Sequence, residues 1–323
     1  LTPSIDPPGK SLHSDGTNEM RMHLPAPIWM TSLVMLGALC AASPPLAAAE
    51  GRAAFMVHPG LNYSATDPKL TLDLFLPEKP IARPVPAVLV IQGGGFLAQD
   101  GRKFRPFAAY LASHGFAAAL IAYRGRPDHH YLDTVADTKA AVRFVRKIAA
   151  EYAIDPNRLG AMGRSAGGTL AALLAVTGGV SELEGRGGNP EFSSRIQAAV
   201  ALSGVFDFVA RFTDERQISL QPNVKSKLET NGQWVGPPFS PRDEQWLRAS
   251  AINHVDAKDP PVLFLHCKDD TTVPWRQSQD MFEKMQAAGI ASAVIYYPTG
   301  GHGYKGHDED AMAEMVRFFR QTL

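Results

Sequence analysis

Cysteine is scarce in this sequence, with only Cys40 and Cys267 among 323 residues. Cys40 lies in an apolar N-terminal stretch that we expect to be removed, so we predict no disulfide within the chain. A domain of this size does not need one. Cysteine and histidine also do not cluster at the spacing of zinc ligands. We therefore predict no metal site, and we expect Cys267 to be a buried, unreactive thiol because it follows an apolar run.

The sequence also has no excess of either charge, since 32 Lys and Arg residues balance 32 Asp and Glu residues. A protein without a basic field has little attraction for phosphates, so we predict no nucleic-acid partner. The apolar run at residues 28–42 is too short to span a bilayer comfortably. We therefore predict no stable membrane span.

The N-terminal region divides into two predicted segments. Residues 1–19 are polar and lack apolar periodicity, which is typical of a disordered upstream or tag-like segment. Residues 20–49 have a weakly basic start, the apolar run and a small-residue cleavage site at Ala47-Ala48-Ala49. This pattern predicts a signal peptide and a secreted or periplasmic protein, with an uncleaved membrane anchor as the competing interpretation. The remaining residues, 50–323, form the predicted catalytic domain.

Short apolar runs alternate with amphipathic stretches through most of residues 50–323, which predicts an α/β fold with a parallel sheet and helices on both faces. The helix predicted over residues 131–152 has Lys139 and Arg143 on its expected outer face. Residues 206–254 interrupt the alternation with aromatic residues, prolines and mixed charges. We interpret this segment as a cap-like insertion, because long insertions in compact domains are usually functional. The alternative is a surface excursion with a small core of its own.

Gly163-Arg164-Ser165-Ala166-Gly167 is a G-x-S-x-G motif between a predicted strand and a predicted helix. That context is typical of a nucleophilic serine at a sharp turn. The glycines flank Ser165 because a Cβ at either position would meet the neighbouring strand or helix. The N-terminus of the following helix would favour a developing oxyanion.

A serine hydroxyl needs a base, and the base needs an orienting carboxylate. In hydrolases with this serine turn, the acid and the histidine follow the serine in the sequence. His302 lies between glycines after the last predicted strand, and we predict it to be the base. Asp269 and Asp270 both follow the strand at residues 262–266. We favour Asp270 as the acid and interpret Asp269 as a solvated loop or capping residue.

A glycine-rich loop follows the early buried strand that ends at Ile91. Chemistry at the serine creates an oxyanion, which needs at least two aimed donors. Backbone N–H groups of such a loop and of the residue after the nucleophile can supply them. We predict an oxyanion hole formed by Gly94, Gly95 and Ala166.

Residues 70–319 resemble a known family. The motifs that carry the resemblance are QGGGF, GRSAGG, the DTTVP loop and GGHGY. This part of the chain is similar to the α/β-hydrolase carboxylesterases, within the acetyl-xylan and feruloyl esterase-like group near the hormone-sensitive-lipase esterases. The resemblance implies an α/β-hydrolase fold with a cap-like insertion. The family's glycine loop normally begins with histidine, where this chain has Gln92. Because glutamine also forms hydrogen bonds, we expect an altered loop anchor in an active enzyme.

These features predict a serine carboxylesterase that needs no cofactor. The resemblance implies short-chain or aromatic acyl groups, such as acetyl or feruloyl groups on plant polysaccharides. The alternatives are a serine peptidase of the prolyl-oligopeptidase kind, an arylformamidase-like amide hydrolase, and a non-catalytic ligand-binding protein on the same fold. The expected partner is a small-molecule or polysaccharide-linked ester, and the sequence has no signal for the oligomeric state.

Overall fold

The computed structural model of the chain describes residues 54–80 and 84–323. The predicted upstream segment (residues 1–19) and signal peptide (residues 20–49) lie outside the described residues. Within the described part, no helix is both long and apolar enough to cross a membrane.

The described strands form one eight-stranded sheet. They are β1 (Phe55–Asn62), β2 (Thr71–Pro77), β3 (Val85–Ile91), β4 (Ala117–Ile121), β5 (Ile154–Arg164), β6 (Ala198–Leu202), β7 (Val262–Cys267) and β8 (Ala293–Tyr297). Their order across the sheet is β1-β2-β4-β3-β5-β6-β7-β8. The β1–β2 and β2–β4 pairs are antiparallel, and every pair from β4 to β8 is parallel. The carboxyl ends of the parallel strands therefore meet at one edge, where ligands usually bind in such sheets.

Helices cover both faces of the sheet. They are α1 (Arg105–Ser113), α2 (Tyr131–Lys147), α3 (Ala166–Val176), α4 (Ala210–Thr213), α5 (Glu215–Ile218), α6 (Val224–Val235), α7 (Glu244–Ala249), α8 (Arg276–Ala287) and α9 (Asp308–Thr322). Residues of α2, α3 and α8 pack in one core cluster, and residues of α1 and α9 pack in the other. On β3, Leu89 points into the first cluster and Val88 and Val90 into the second, because successive side chains of a strand face opposite ways. The predicted α/β-hydrolase architecture is confirmed.

The outer face of α2 differs from the prediction. Lys139 and Arg143 were expected to face solvent, but both are buried. The Lys139 Nζ donates to Glu184 Oε1 at 2.8 Å and the Arg143 Nη1 donates to Glu184 Oε2 at 2.7 Å. The chain after α3 folds back over α2, and Gly185 fits against Ala136 where a Cβ would lie only 2.3 Å from the alanine Cβ. The prediction for these two side chains is wrong because it considered α2 without this covering loop.

The insertion at residues 206–254 contains α4 to α7 and joins the main core. Phe206, Phe208, Trp234 and Trp246 are fully buried in the same cluster as α2 and α3. Trp234 stacks on Phe96, with ring centroids 4.0 Å apart, and its indole N–H donates to Thr134 Oγ1 at 3.0 Å. The insertion is therefore packed on the domain and has no separate core. Its role as a cap stays a prediction.

Candidate active site

Ser165 occupies a sharp turn between β5 and α3. Its backbone is in an unusual region for a residue with a side chain, with φ 59° and ψ −124°. A Cβ on Gly163 would lie 2.2 Å from the carbonyl oxygen of Gly167, and a Cβ on Gly167 would lie 2.0 Å from that of Ile91. Only glycine fits at both positions, so the turn holds Ser165 at the carboxyl edge of the sheet and at the N-terminus of α3.

His302 lies in a short turn after β8 and connects two of the predicted site residues. Its Nε2 is 2.8 Å from the Ser165 Oγ, and its Nδ1 is 2.7 Å from the Asp270 Oδ2. The three side chains come from loops after β5, β7 and β8, which are far apart in the sequence. The structure thus brings together the serine, histidine and aspartate singled out from the sequence, with the histidine within hydrogen-bond distance of both other side chains.

Asp270 is buried and surrounded by donors. Its Oδ1 accepts the backbone N–H groups of Thr272, at 2.8 Å, and Val273, at 3.0 Å. Burial alone would raise the pKa of this carboxyl group, but hydrogen bonds from His266 and His302 outweigh burial and hold the pKa well below its usual value. Asp270 is therefore ionised. The carboxylate favours the His302 tautomer with a proton on Nδ1, which leaves Nε2 free to accept the serine proton.

His266 is a second histidine on Asp270, and it was not among the site residues predicted from the sequence. Its Nε2 lies 3.0 Å from the carbonyl oxygen of Val273 and 3.4 Å from the Asp270 Oδ2, and its Nδ1 lies 2.7 Å from the Ser278 Oγ. Since a carbonyl can only accept, Nε2 carries a proton. His266 therefore helps to fix the carboxylate. Its position at the end of β7, four residues before Asp270, was the available signal.

Asp269 fixes the turn that carries His302. Its two carboxylate oxygens accept the backbone N–H groups of Gly300, at 3.1 Å, and Gly301, at 2.8 Å. On the other side of the turn, the fully buried Tyr304 donates its hydroxyl hydrogen to the carbonyl oxygen of Leu265. The imidazole of His302 is thus positioned by anchors on both sides.

The glycine loop lies directly against the serine turn. A Cβ on Gly93 would be 2.1 Å from the carbonyl oxygen of Arg164 and 3.0 Å from the Ser165 Cβ. The amide N–H groups of Gly94 and Gly95 donate no hydrogen bond within the described residues. Ala166 is the first residue of α3, where N–H groups lack partners in the helix. These three groups are available to an oxyanion, and their catalytic role stays a prediction.

Gln92 anchors the glycine loop in place of the histidine found in the resembling family. Its Oε1 accepts the backbone N–H of Lys103 at 2.8 Å, and its Nε2 donates to the Gln99 Oε1. The Gln99 side chain in turn packs against Gly94. On the insertion side, the Arg126 Nε donates to the carbonyl oxygen of Gly95 at 2.7 Å. The loop is held by hydrogen bonds on both sides.

Metal ligands and the cysteine thiol were also considered from the sequence. The described residues contain no group of three or more His, Cys, Asp or Glu side chains placed to hold a metal ion. Cys267 is a buried free thiol, and burial raises its pKa to about 11. The thiol therefore stays protonated at neutral pH and is a poor nucleophile.

Ser165 and His302 are half-buried and reachable from solvent.

The sheet order, the serine turn and the solved structures that the chain resembles define an α/β-hydrolase fold. A carbohydrate esterase from gut microbiota, solved in truncated form, superposes with a TM-score of 0.71 at 29% identity, over 84% of this chain and 98% of that one. Esterase 2 of Thermogutta terrifontis, solved with propionate bound, gives a TM-score of 0.64 at 27% identity, over 84% and 94%.

The chain belongs to the BD-FAE family, which matches residues 72–285. The probable carboxylic ester hydrolase LipM of Mycobacterium tuberculosis is 29% identical over 221 residues, covering 68% of this chain and 49% of LipM. An acetylxylan esterase of Xylanibacter ruminicola is 28% identical over 258 residues, covering 77% and 48%. The chain thus spans about half the length of these curated relatives. The resemblance to the acetyl-xylan esterase-like group is confirmed, and these relatives and structural neighbours are named as ester hydrolases.

Proposed function

We propose that this protein is a serine carboxylesterase that hydrolyses short-chain or aromatic acyl esters, including acetyl or feruloyl groups on plant polysaccharides. The observation that carries the proposal is the continuous set of contacts from Ser165 through His302 to Asp270, at 2.8 and 2.7 Å. A serine hydroxyl within hydrogen-bond distance of an oriented histidine is the arrangement that nucleophilic catalysis requires.

In the proposed reaction, the Ser165 Oγ attacks the ester carbonyl while the His302 Nε2 takes the serine proton. Asp270 stabilises the imidazolium that forms. The N–H groups of Gly94, Gly95 and Ala166 bind the negative oxygen of the tetrahedral intermediate. The intermediate collapses when His302 returns the proton to the leaving alcohol. Water, deprotonated by His302, then attacks the acyl-serine, and His302 returns this proton to the Ser165 Oγ as the acid leaves. Apart from the ester and water, both half-reactions use only groups of this chain.

Two observations support a sugar-linked alcohol. A polar cleft of about 630 Å³ borders Gln92, at the start of the glycine loop, and its lining includes Gln99, Lys103, Arg126 and Asp128. Such hydrogen-bonding side chains suit sugar hydroxyl groups. The relatives named as acetylxylan esterase and carbohydrate esterase point in the same direction.

Four aromatic residues of the insertion bear on the choice of acyl group. Phe206, Phe208, Trp234 and Trp246 are fully buried in the core and are therefore unavailable to an aryl acid. We expect acetyl esters to be preferred over feruloyl esters for this reason. Export across a membrane remains part of the proposal, supported by the sequence pattern of residues 20–49.

The proposal is tested with a panel of acetyl, butyryl, octanoyl and feruloyl esters. We expect turnover to be fastest for the acetyl ester. Ser165→Ala should reduce kcat by at least about 10⁴-fold, because the nucleophile is lost. Ser181→Ala, at an exposed serine away from the site, is the matched control. Ester turnover by Ser165→Ala at more than a trace would contradict the proposal. Faster cleavage of a peptide or formamide bond would favour an amide hydrolase.

A further inference from the structure

One face of α6 lies against the candidate active site. The residues on this face follow helical spacing and are neighbours on the helix surface: Lys227, Thr230, Asn231 and Trp234. Trp234 stacks on Phe96, the residue that follows the glycine loop. Thr230 Cγ2 lies 4.0 Å from the position that a Cβ on Gly95 would take. The face therefore adjoins the proposed oxyanion donors, and Lys227 lies one turn before Thr230.

Two cations near this face lack a carboxylate partner. Arg211 is 2% exposed, and its Nε donates to Gln221 Oε1 at 2.9 Å while its Nη2 donates to the carbonyl oxygen of Thr272 at 2.7 Å. Lys227 is half-buried. Within the described part of the chain, neither side chain forms an ion pair. Neither cation is therefore balanced by a carboxylate of the described residues.

The charges of these groups act on one another. Burial lowers the pKa of Arg211 to about 10, against an opposing effect of Asp270. Burial and repulsion from Arg211 lower the pKa of Lys227, whereas Asp270 raises it. Arg211 contacts Gln221, three residues before α6, and Thr272, two residues after Asp270, so it lies between the start of α6 and the loop of the predicted catalytic acid.

Asp270 does not serve as the missing partner. Its carboxylate already accepts hydrogen bonds from His302, Thr272 and Val273 and is contacted by His266. A buried cation without a counter-ion is costly, so a negative group that entered here would offset that cost.

We propose that Lys227 and Arg211 form a subsite for a carboxylate carried by the ester substrate. The carboxylate belongs either to the alcohol part, as in a sugar acid, or to the acyl part. Lys227, the more exposed of the two, supplies a point charge, and the buried guanidinium of Arg211 adds to the positive potential there. The inference rests on the proposed esterase function and specifies the substrate class of the same site.

The test compares anionic esters with neutral esters of the same shape. The first pair is 4-acetoxybenzoate and 4-acetoxybenzamide, which differ on the alcohol side. The second pair is the mono-4-nitrophenyl ester of terephthalic acid and its monoamide, which differ on the acyl side. The quantity measured is the ratio of kcat/KM for the anionic ester to that for the neutral ester. This ratio removes effects that alter both substrates equally.

Lys227→Met should lower the ratio about tenfold in one of the two pairs, because a charge-assisted contact is lost. Lys227→Arg should retain most of it. Lys225→Met, on the exposed face of the same helix, is the matched control and should leave the ratio within about twofold of wild type. The pair that responds identifies the part of the substrate that carries the carboxylate.

If Lys227→Met and Lys225→Met have equal ratios of kcat/KM for both substrate pairs, the proposed subsite is overturned. The esterase function would still stand. If the wild-type protein hydrolyses none of the four esters, the proposed esterase function is overturned, and the subsite with it.

Discussion

Asp269 and Asp270 are neighbours in the chain, but their carboxylates bind different partners. Asp270 contacts the imidazole of His302, whereas Asp269 accepts the N–H groups of Gly300 and Gly301 in the turn that carries it. The side chains of these adjacent residues point apart. The Asp270 carboxylate therefore orients the imidazole ring, and the Asp269 carboxylate anchors the loop.

This division predicts different effects of the same substitution at the two positions. Asp270→Asn should lower kcat about 10⁴-fold, because the amide no longer holds the required imidazole tautomer. Asp269→Asn keeps one acceptor oxygen for the turn, and we expect a loss of roughly tenfold or less. Steady-state kinetics on an acetyl ester measure both, and circular dichroism checks that both variants are folded. An equal or larger loss in Asp269→Asn would reverse the assignment of the acid.

At this scale the sequence predicts residue types better than their contacts. The motif around Ser165 and the glycines around His302 are local signals, and they identified side chains that the structure places within hydrogen-bond distance. For the second histidine on Asp270, the available signal was only its position at the end of β7, four residues before the acid. The contact of His266 depends on how the loop after β7 curls back to Val273, which no local pattern reports.

At the scale of elements, Glu184 ties α2 to the loop after α3. It accepts hydrogen bonds from Lys139, Arg143 and Ser194. Burial lowers the pKa of Lys139, and the contact with Glu184 opposes that shift. The side chains of Lys139 and Arg143 are 0% and 4% exposed, so this carboxylate neutralises charge that solvent does not reach.

Glu184→Gln should therefore destabilise the protein, because two cations stay buried without a counter-ion. We expect a loss of roughly 2–3 kcal/mol in the free energy of unfolding, less than is usual for a fully buried pair because the Glu184 side chain is 30% exposed. Urea unfolding measures the change. Glu182→Gln, at an exposed carboxylate of the same turn, is the matched control and should unfold like wild type. A Glu184→Gln variant as stable as this control would contradict the account.

The same contact explains the error made for α2 from the sequence. Amphipathic periodicity separates apolar from polar faces, but it does not reveal that a polar face is covered by another segment. Lys139 and Arg143 have long side chains that can lie buried if a partner carboxylate arrives from elsewhere. Glu184 is 45 positions after Lys139 in the sequence, and only the fold brings them together.

At the scale of the whole molecule, the alternation of strands and helices was enough to predict the class of fold. It was not enough to predict the sheet order, in which β4 lies between β2 and β3. Strand order depends on which faces the connecting helices cover. The insertion shows the same limit, since its aromatic residues marked it as unusual but did not reveal that Trp234 stacks on Phe96 beside the glycine loop.

The central claim is that Ser165 is an activated nucleophile in the folded protein. Labelling with a fluorophosphonate probe, followed by peptide mapping in a mass spectrometer, tests it directly because only an activated serine reacts. We predict one adduct per chain on the peptide containing Ser165, none on that peptide in Ser165→Ala, and labelling slowed by at least about 10³-fold in His302→Ala. An unlabelled folded wild-type protein, or an adduct on another residue, would contradict the claim.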